Sequence, residues 1–262
     1  MSLVFAAITP HPPILIPAIG KDNLKKIDTT KKAMEKLEED LYLSHPDILL
    51  LISPHGKLFP DAFSMNVCSE YETDLKEFGD LTTKLHIKGE MNLPALIREA
   101  GKEKDYKTIM ISEKNLDHGA AVPLFYLTPH LPNVGLTVFG FSDLDAKTHT
   151  DFGYLLKEQI LHTNKRVAVI ASGDLSHALA TDAPAGFKPE GAIFDKKIQE
   201  YLATRNTAGL IQLEPSATDA AECGFRSFLI LMGILRDVNY TFESYAYEGP
   251  FGVGYLTANF VL

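Results

Sequence analysis

The sequence has little cysteine and no excess of basic residues. Its two cysteines, Cys68 and Cys223, lie far apart among 262 residues, so a disulfide framework is not expected and a reducing, cytoplasmic location is predicted. Lys and Arg total 25 against 34 Asp and Glu, a formal net charge of -9. Because nucleic-acid binding depends on clustered Lys and Arg, this balance argues against a nucleic-acid partner and favours a small-molecule ligand.

Long hydrophobic runs are also missing. The apolar run at residues 3–8 is followed by Pro10, Pro12, Pro13 and Pro17, and no basic region precedes it, as a signal peptide would require. No apolar stretch reaches the ~18 to 20 residues of a membrane span. We therefore expect no contact with a membrane.

What the sequence does contain is enough apolar residues for a full core, since 45% of the chain is hydrophobic. Short apolar runs bounded by turn residues are typical of buried parallel strands, and helical patterns lie between them. The predicted strands are residues 3–8, 48–53, 108–112, 136–141 and 166–172, and the predicted helices include 28–42, 154–162 and 194–204. This alternation predicts a parallel sheet with helices on both faces.

The C-terminal part has a different pattern. Residues 218–235 resemble a buried helix that opens with Asp219 and Glu222, and residues 240–247 and 252–262 resemble a strand pair around the turn Gly249-Pro250. A hairpin added to the sheet makes it mixed. We predict an α/β fold in which residues 1–262 form a single three-layer α/β/α domain with a mostly parallel, mixed central sheet.

Four of the nine histidines follow predicted strands: His11, His55, His118 and His177. The carboxyl ends of parallel strands meet at one edge of a sheet, where ligands bind, so these imidazoles are expected to converge. A single loop histidine is usually a surface or capping residue, but four at equivalent strand ends indicate a metal or catalytic site. The other five are assigned surface or structural roles: His45, His86, His130, His149 and His162.

The motifs around these histidines resemble those of one family. They are His-Pro-Pro at 11–13, Ser-Pro-His-Gly at 53–56, Asp-His-Gly at 117–119, Ser-Gly-Asp-Leu-Ser-His at 172–177 and Glu-Cys-Gly-Phe-Arg-Ser at 222–227. Together they resemble the class III (LigB-type) extradiol dioxygenases over essentially the whole chain. The resemblance is closest to the LigB-like branch associated with Memo-type proteins.

The resemblance implies an Fe(II) site held by two histidines and a glutamate, with open positions for a catechol-like aromatic substrate and O2. Two imidazoles and one carboxylate are the ligands that non-haem Fe(II) oxygenases use. By order along the chain, His11 and His55 match the metal ligands. His177 matches the acid and base, and His118 matches a histidine that lines the substrate pocket.

The third ligand is predicted to be Glu222, which follows His177 and precedes a helix. An acid in the first helical turn also interacts favourably with the helix dipole and needs no metal. Cys223 stands where Memo-type proteins carry a metal-site cysteine, and Glu248 is another candidate carboxylate. Asp117 and Asp174 are expected either to orient imidazoles or to cap turns, and Arg226 either to hold an anionic group or to form an ion pair.

The expected function is therefore an Fe(II)-dependent extradiol ring-cleavage dioxygenase. Two alternatives remain: a Memo-like metal-binding protein that does not cleave rings and serves metal handling, redox chemistry or partner binding, and a hydrolase that uses Zn at similar ligands. A homo-oligomer or a small partner subunit is compatible with the resemblance.

Overall fold

The computed structural model describes residues 2–262. The strands are β1 (Leu3–Thr9), β2 (Ile48–Ile52), β3 (Phe63–Asn66), β4 (Glu70–Thr73), β5 (His86–Lys88), β6 (Thr108–Ile111), β7 (Asn115–Leu116), β8 (Gly135–Gly140), β9 (Val167–Ser172), β10 (Thr241–Glu248) and β11 (Tyr255–Val261). Eight of them form one sheet in the order β10-β11-β1-β9-β2-β8-β3-β6, and the other three form a separate sheet in the order β5-β4-β7.

Helices cover both faces of the large sheet. They are α1 (Pro17–Gly20), α2 (Asp28–Leu43), α3 (Asn92–Glu103), α4 (His118–Leu127), α5 (Ala146–His162), α6 (Pro189–Ala203), α7 (Thr207–Ile211), α8 (Glu214–Ala220) and α9 (Phe225–Ile234). One core cluster lies between the sheet and α2 with α4, and the other lies between the sheet and α3, α5, α6 and α9. Among residues 2–262, no helix is both long and apolar enough to cross a membrane.

The centre of the sheet consists of β1, β9, β2 and β8, which pair in parallel. Both faces of these strands are buried: in β2, Leu50 faces one core cluster while Leu49 and Leu51 face the other. Strands buried on both sides need apolar side chains at every position, which explains their continuous apolar runs. The predicted α/β fold with a mostly parallel, mixed sheet is confirmed.

The strand predicted at residues 108–112 has a different place and direction. It forms β6, a half-buried edge strand, which is parallel to β3, while β3 is antiparallel to β8. The prediction of a buried strand parallel to the others was therefore wrong, because a short apolar run carries no information on strand direction. As a result, His118 does not follow the carboxyl end of a central parallel strand.

The helix predicted at 218–235 is interrupted. It consists of α8 and α9, joined through Ala221, whose φ is 53°. Behind this break, Gly224 lies so close to Gly173 that a Cβ on Gly173 would collide with the Gly224 Cα. The chain therefore leaves helical geometry at 221–224 and lies against the segment that follows β9. The predicted C-terminal hairpin is present, with β11 antiparallel to both β10 and β1.

Candidate metal centre

His11 and His55 follow β1 and β2, the two strands that flank β9. Their Nε2 atoms are 2.9 Å apart, and their ring planes are inclined by 88°. A metal ion lies close to the plane of each imidazole that binds it. For metal–nitrogen distances of ~2.0 to 2.1 Å, this separation corresponds to an angle of about 90° at the ion. The pair therefore fits two adjacent coordination positions of one metal ion.

The imidazole of His11 is held in one orientation by Ser172. The Ser172 hydroxyl donates to the Gly119 carbonyl oxygen at 2.5 Å and lies 2.9 Å from His11 Nδ1. Since its one proton is used, the hydroxyl accepts from Nδ1–H, which leaves Nε2 with a lone pair. Burial, reinforced by the neighbouring histidines, holds the pKa of His11 well below its usual value. His11 is therefore neutral and presents Nε2 as a ligand atom.

Removal of this hydroxyl tests the role of the hydrogen bond. We expect Ser172→Ala to weaken Zn²⁺ or Co²⁺ binding by ~10- to 100-fold, as is typical when the partner of a metal-ligating histidine is lost. Competition with a chromophoric chelator measures the affinity. Ser227→Ala is the matched control, because Ser227 is also fully buried and its hydroxyl has no partner among the described residues. Equal affinities in the two variants would contradict the assignment.

His55 retains contact with solvent, although neighbouring groups surround part of its ring. Partial burial, followed by the effect of His118, lowers the pKa of His55 to about 4, while Asp117 acts in the opposite direction. Asp117 caps α4 by accepting from Ala120 N at 3.2 Å, and it also accepts from the Ser53 hydroxyl at 2.5 Å. This carboxyl group therefore fixes the start of α4 against the end of β2.

His118 is the first residue of α4 and reaches the other histidines from there. Its ring stacks on that of His55 with a centroid distance of 4.2 Å and an inclination of 21°. The centroid of the Phe78 ring lies 5.1 Å from that of His118. Two stacked, nearly parallel rings share no point that lies in both planes close to their nitrogens. His118 therefore lies beside the ion position defined by His11 and His55.

His177 follows β9 and lies near the same site. It contributes to the lowering of the pKa of both His11 and His55, and burial lowers its own pKa. It is not part of either cluster of candidate ligands within residues 2–262. Its Nδ1 is buried without a hydrogen-bond partner in the described chain. The structure thus brings His177 close to the histidine pair but outside the ligand clusters.

Glu222, predicted as the third ligand, is not brought to the histidines. Its Oε2 accepts from Phe225 N at 2.5 Å, and the side chain lines a separate cavity of about 270 Å³ together with Arg226. Burial raises the pKa of Glu222 to about 7. Glu248, the other candidate, accepts from Thr30 N at 2.7 Å near the start of α2. Both glutamates accept hydrogen bonds at helix starts, and neither belongs to a cluster of candidate ligands within residues 2–262.

Asp174 and Cys223 occupy the position beside His11 instead. Asp174 Oδ1 accepts from His11 N at 3.0 Å, and Oδ2 lies 3.9 Å from His11 Nε2. Cys223 Sγ lies 3.5 Å from the same nitrogen and accepts from Asp174 N at 3.3 Å. Burial raises the pKa of Asp174 to about 7 and that of the Cys223 thiol well above its usual value.

The donors around His11 are of the types that bind divalent metal ions. Asp174 is 5% exposed, and its Oδ2 lies 3.9 Å from His11 Nε2, on the side of the lone pair of that nitrogen. A cation between these two atoms would compensate the buried charge of the Asp174 carboxylate and would bind the lone pair of His11 Nε2. Two clusters of candidate ligands share His11: one with His55 and His118, the other with Asp174 and Cys223. Asp174 was expected either to orient an imidazole or to cap a turn, although its place after β9, between the strands of His11 and His55, was a usable signal.

Known proteins resemble this chain at several levels. Residues 5–258 match the family described as the catalytic LigB subunit of aromatic ring-opening dioxygenase. Protein CA_C1420 of Clostridium acetobutylicum is 31% identical over 97% of this chain and 57% of its own length. The 4,5-DOPA dioxygenase extradiol of Beta vulgaris is 28% identical over 66% of this chain and 65% of its own length. The chain thus spans less than two thirds of either relative.

A crystal structure shares the fold. The uncharacterized protein JW3007 from Escherichia coli K12 superposes with a TM-score of 0.69 over 98% of this chain and 99% of its own, at 16% identity. At this identity the likeness concerns the fold alone. The family match, in contrast, extends over the strands and loops that carry all four site histidines. The chain belongs to the LigB family of catalytic subunits of aromatic ring-opening dioxygenases.

Proposed function

We propose that this protein is a non-haem Fe(II)-dependent extradiol dioxygenase that opens the ring of a catechol-like substrate. The observation that carries the proposal is the pair His11 and His55, whose ring planes are nearly perpendicular and whose Nε2 atoms are 2.9 Å apart. The buried carboxylate of Asp174 lies beside His11. Two histidines and one carboxylate with open positions are characteristic of Fe(II) oxygenases. The family and the similarity to a plant protein named as an extradiol dioxygenase support the same reaction.

Each residue then has a defined task. His11, His55 and Asp174 would hold the ion, with Asp174 in the role predicted for Glu222. The ion, when bound, would supply Lewis-acid and redox chemistry for the substrate oxygens and O2. His177 is neutral at pH 7 because burial lowers its pKa, so it can accept a proton from a substrate hydroxyl and return it. His118 would donate a hydrogen bond to substrate or oxygen.

Cys223 supports a second candidate. With Zn–S of ~2.3 Å and Zn–N of ~2.0 to 2.1 Å, its Sγ at 3.5 Å from His11 Nε2 corresponds to an angle of about 105° at the ion. A thiolate ligand favours softer ions such as Cu(I) or Zn. A site of His11, His55 and Cys223 would suit a Memo-like protein in metal handling, redox chemistry or partner binding. A Zn-dependent hydrolase is a third use of the same ligands.

Three single variants separate these candidates: Asp174→Asn, Cys223→Ser and, as matched control, Glu222→Gln. The proteins are purified without oxygen, their metal content is measured, and they are screened with catechols for a ring-opened product. If Asp174 is the ligand, Asp174→Asn lowers iron affinity and turnover by more than the ~10- to 100-fold typical of residues outside the coordination sphere, while Cys223→Ser and Glu222→Gln retain both.

Loss of metal in Cys223→Ser with retention in Asp174→Asn supports the site with a thiolate ligand. Stoichiometric zinc or copper in the unaltered protein, combined with no turnover of any catechol after anaerobic loading with Fe(II), overturns the dioxygenase proposal. Loss of iron in Glu222→Gln would mean that the glutamate moves to the histidines when the ion binds.

A further inference from the structure

Asp195 is a buried carboxylate that connects three parts of the chain outside the metal centre. It lies on α6 and is 1% exposed. Its Oδ1 accepts from the backbone N of Ser176 at 2.8 Å, and its Oδ2 accepts from the Tyr247 hydroxyl at 2.7 Å. Asp195 therefore joins a helix, the C-terminal hairpin and the residue that directly precedes His177.

Every polar group of Ser176 makes a hydrogen bond. Its carbonyl oxygen accepts from Gly254 N at 2.9 Å, and its hydroxyl donates to Ala220 O at 2.9 Å while accepting from Ala178 N at 3.0 Å. The backbone N of His177 itself donates to Ala220 O at 3.1 Å. Asp195 supplies the partner for the one remaining group, the Ser176 N–H, which belongs to the Leu175–Ser176 peptide, one peptide before the one that carries His177.

Two glycines allow this close approach. A Cβ on Gly254 would collide with Asp195 Oδ2, and a Cβ on Gly191 would collide with the Ser176 hydroxyl. Any other residue at these positions would displace the carboxylate or the serine. The contact between Asp195 and the His177 segment thus requires that both positions lack a side chain.

The charge of Asp195 is costly to bury. Burial raises the pKa of Asp195 from 3.8 to about 6, although the Tyr247 hydrogen bond acts in the opposite direction. Folding therefore favours the protonated form. The resulting penalty is absent below the unfolded-state pKa and fully present above pH 6. The hydrogen bonds from Ser176 and Tyr247 thus offset the cost of burying the charge only in part.

We propose that Asp195 is a positioning residue for catalysis, which fixes the His177 imidazole relative to the histidine pair through the Ser176 N–H. This rests on the proposed function for the part that His177 plays in turnover. Without the carboxylate, the Leu175–Ser176 peptide, which directly precedes the peptide that carries His177, loses the acceptor of its N–H. A displacement of a catalytic group by about 1 Å can lower the rate by ~100-fold.

The test compares Asp195→Ala, Asp195→Asn and a control, Asp145→Ala. Asp145 also accepts from a backbone N–H, that of Thr148 at 2.7 Å, where it caps α5. We expect Asp195→Ala to lower kcat by ~10- to 100-fold with little change in KM or metal affinity. Asp195→Asn should recover most of the rate, because its amide oxygen still accepts from Ser176 N. Asp145→Ala should leave kcat unchanged.

A second readout does not depend on turnover. In the metal-free protein, ¹⁵N NMR of the histidine rings should show altered His177 resonances in Asp195→Ala, with His11 and His55 unchanged and with near-normal spectra for Asp195→Asn. If Asp195→Ala does not fold, Asp195→Ser replaces it, because the serine side chain is too short to reach Ser176 N.

The kinetic and NMR measurements test the proposed function and the role of Asp195 separately. If the unaltered protein cleaves no catechol, the proposed function fails, and the His177 resonances alone decide whether Asp195 positions that ring. Unchanged His177 resonances in Asp195→Ala overturn the inference. So does an equal loss of kcat in Asp145→Ala, which would indicate that general destabilisation causes the effect.

Discussion

Replacing His11 with alanine is expected to abolish metal binding, weakening the affinity by at least ~1,000-fold, or about 4 kcal/mol. His11 Nε2 lies 2.9 Å from His55 Nε2, 3.5 Å from Cys223 Sγ and 3.9 Å from Asp174 Oδ2. It is therefore common to every candidate ligand set, and its loss does not depend on whether the third ligand is a carboxylate or a thiolate. Metal content after anaerobic loading and calorimetric titration measure the effect.

The control for this variant is His86→Ala, because His86 is exposed on β5, outside the metal centre. His86→Ala should keep the affinity of the unaltered protein. Circular dichroism should show that the His11→Ala fold persists, since the ring lies beyond the end of β1 and not in either core cluster. Stoichiometric metal in folded His11→Ala would refute the proposed site.

Replacing His177 with alanine is expected to lower turnover by ~10²- to 10⁴-fold, the range associated with loss of a general acid and base, while the metal remains bound. The structure brings His177 close enough to depress the pKa of His11 and His55, but leaves it outside the ligand clusters. Absorbance of the ring-opened product gives the rate, and metal analysis gives the occupancy.

His162→Ala provides the comparison, because His162 is the exposed last residue of α5 and should tolerate the change without loss of turnover. Loss of metal in His177→Ala would identify His177 as a ligand. Full retention of turnover would exclude it as the proton acceptor and would direct attention to His118.

The central strands could be predicted because burial on both faces imposes continuous apolar runs, as in residues 3–8, 48–53 and 166–172. The strands β3, β4, β5 and β7 have four residues or fewer and no such run. These short strands form through pairing with the strands beside them, and a local sequence pattern does not predict such pairing. The same limit explains why the direction of β6 was not predicted.

The site shows the same division between local and long-range information. The positions of His11 and His55 follow from strand ends, which the sequence reveals. His118 meets them through the start of α4 and not through a parallel strand of the central sheet. The orientation of 221–224 depends on the contact between Gly224 and Gly173. With this contact in place, Cys223 lies beside His11 and Glu222 lies at the start of α9. No sequence pattern near residue 222 predicts the contact.

The position of β9 also governs when the centre can form during synthesis. His11 and His55 are 44 residues apart in the chain, and both are synthesised before β9. Their strands, however, are not neighbours in the sheet: β9, at Val167–Ser172, separates them and pairs with both. Ser172, which orients His11, and Asp174 arrive with that strand. A nascent chain that ends before residue 167 carries both histidines but lacks the strand that sets their spacing. Assembly of the centre is therefore a late, long-range event in folding, of the kind that raises contact order and slows the search for the native topology.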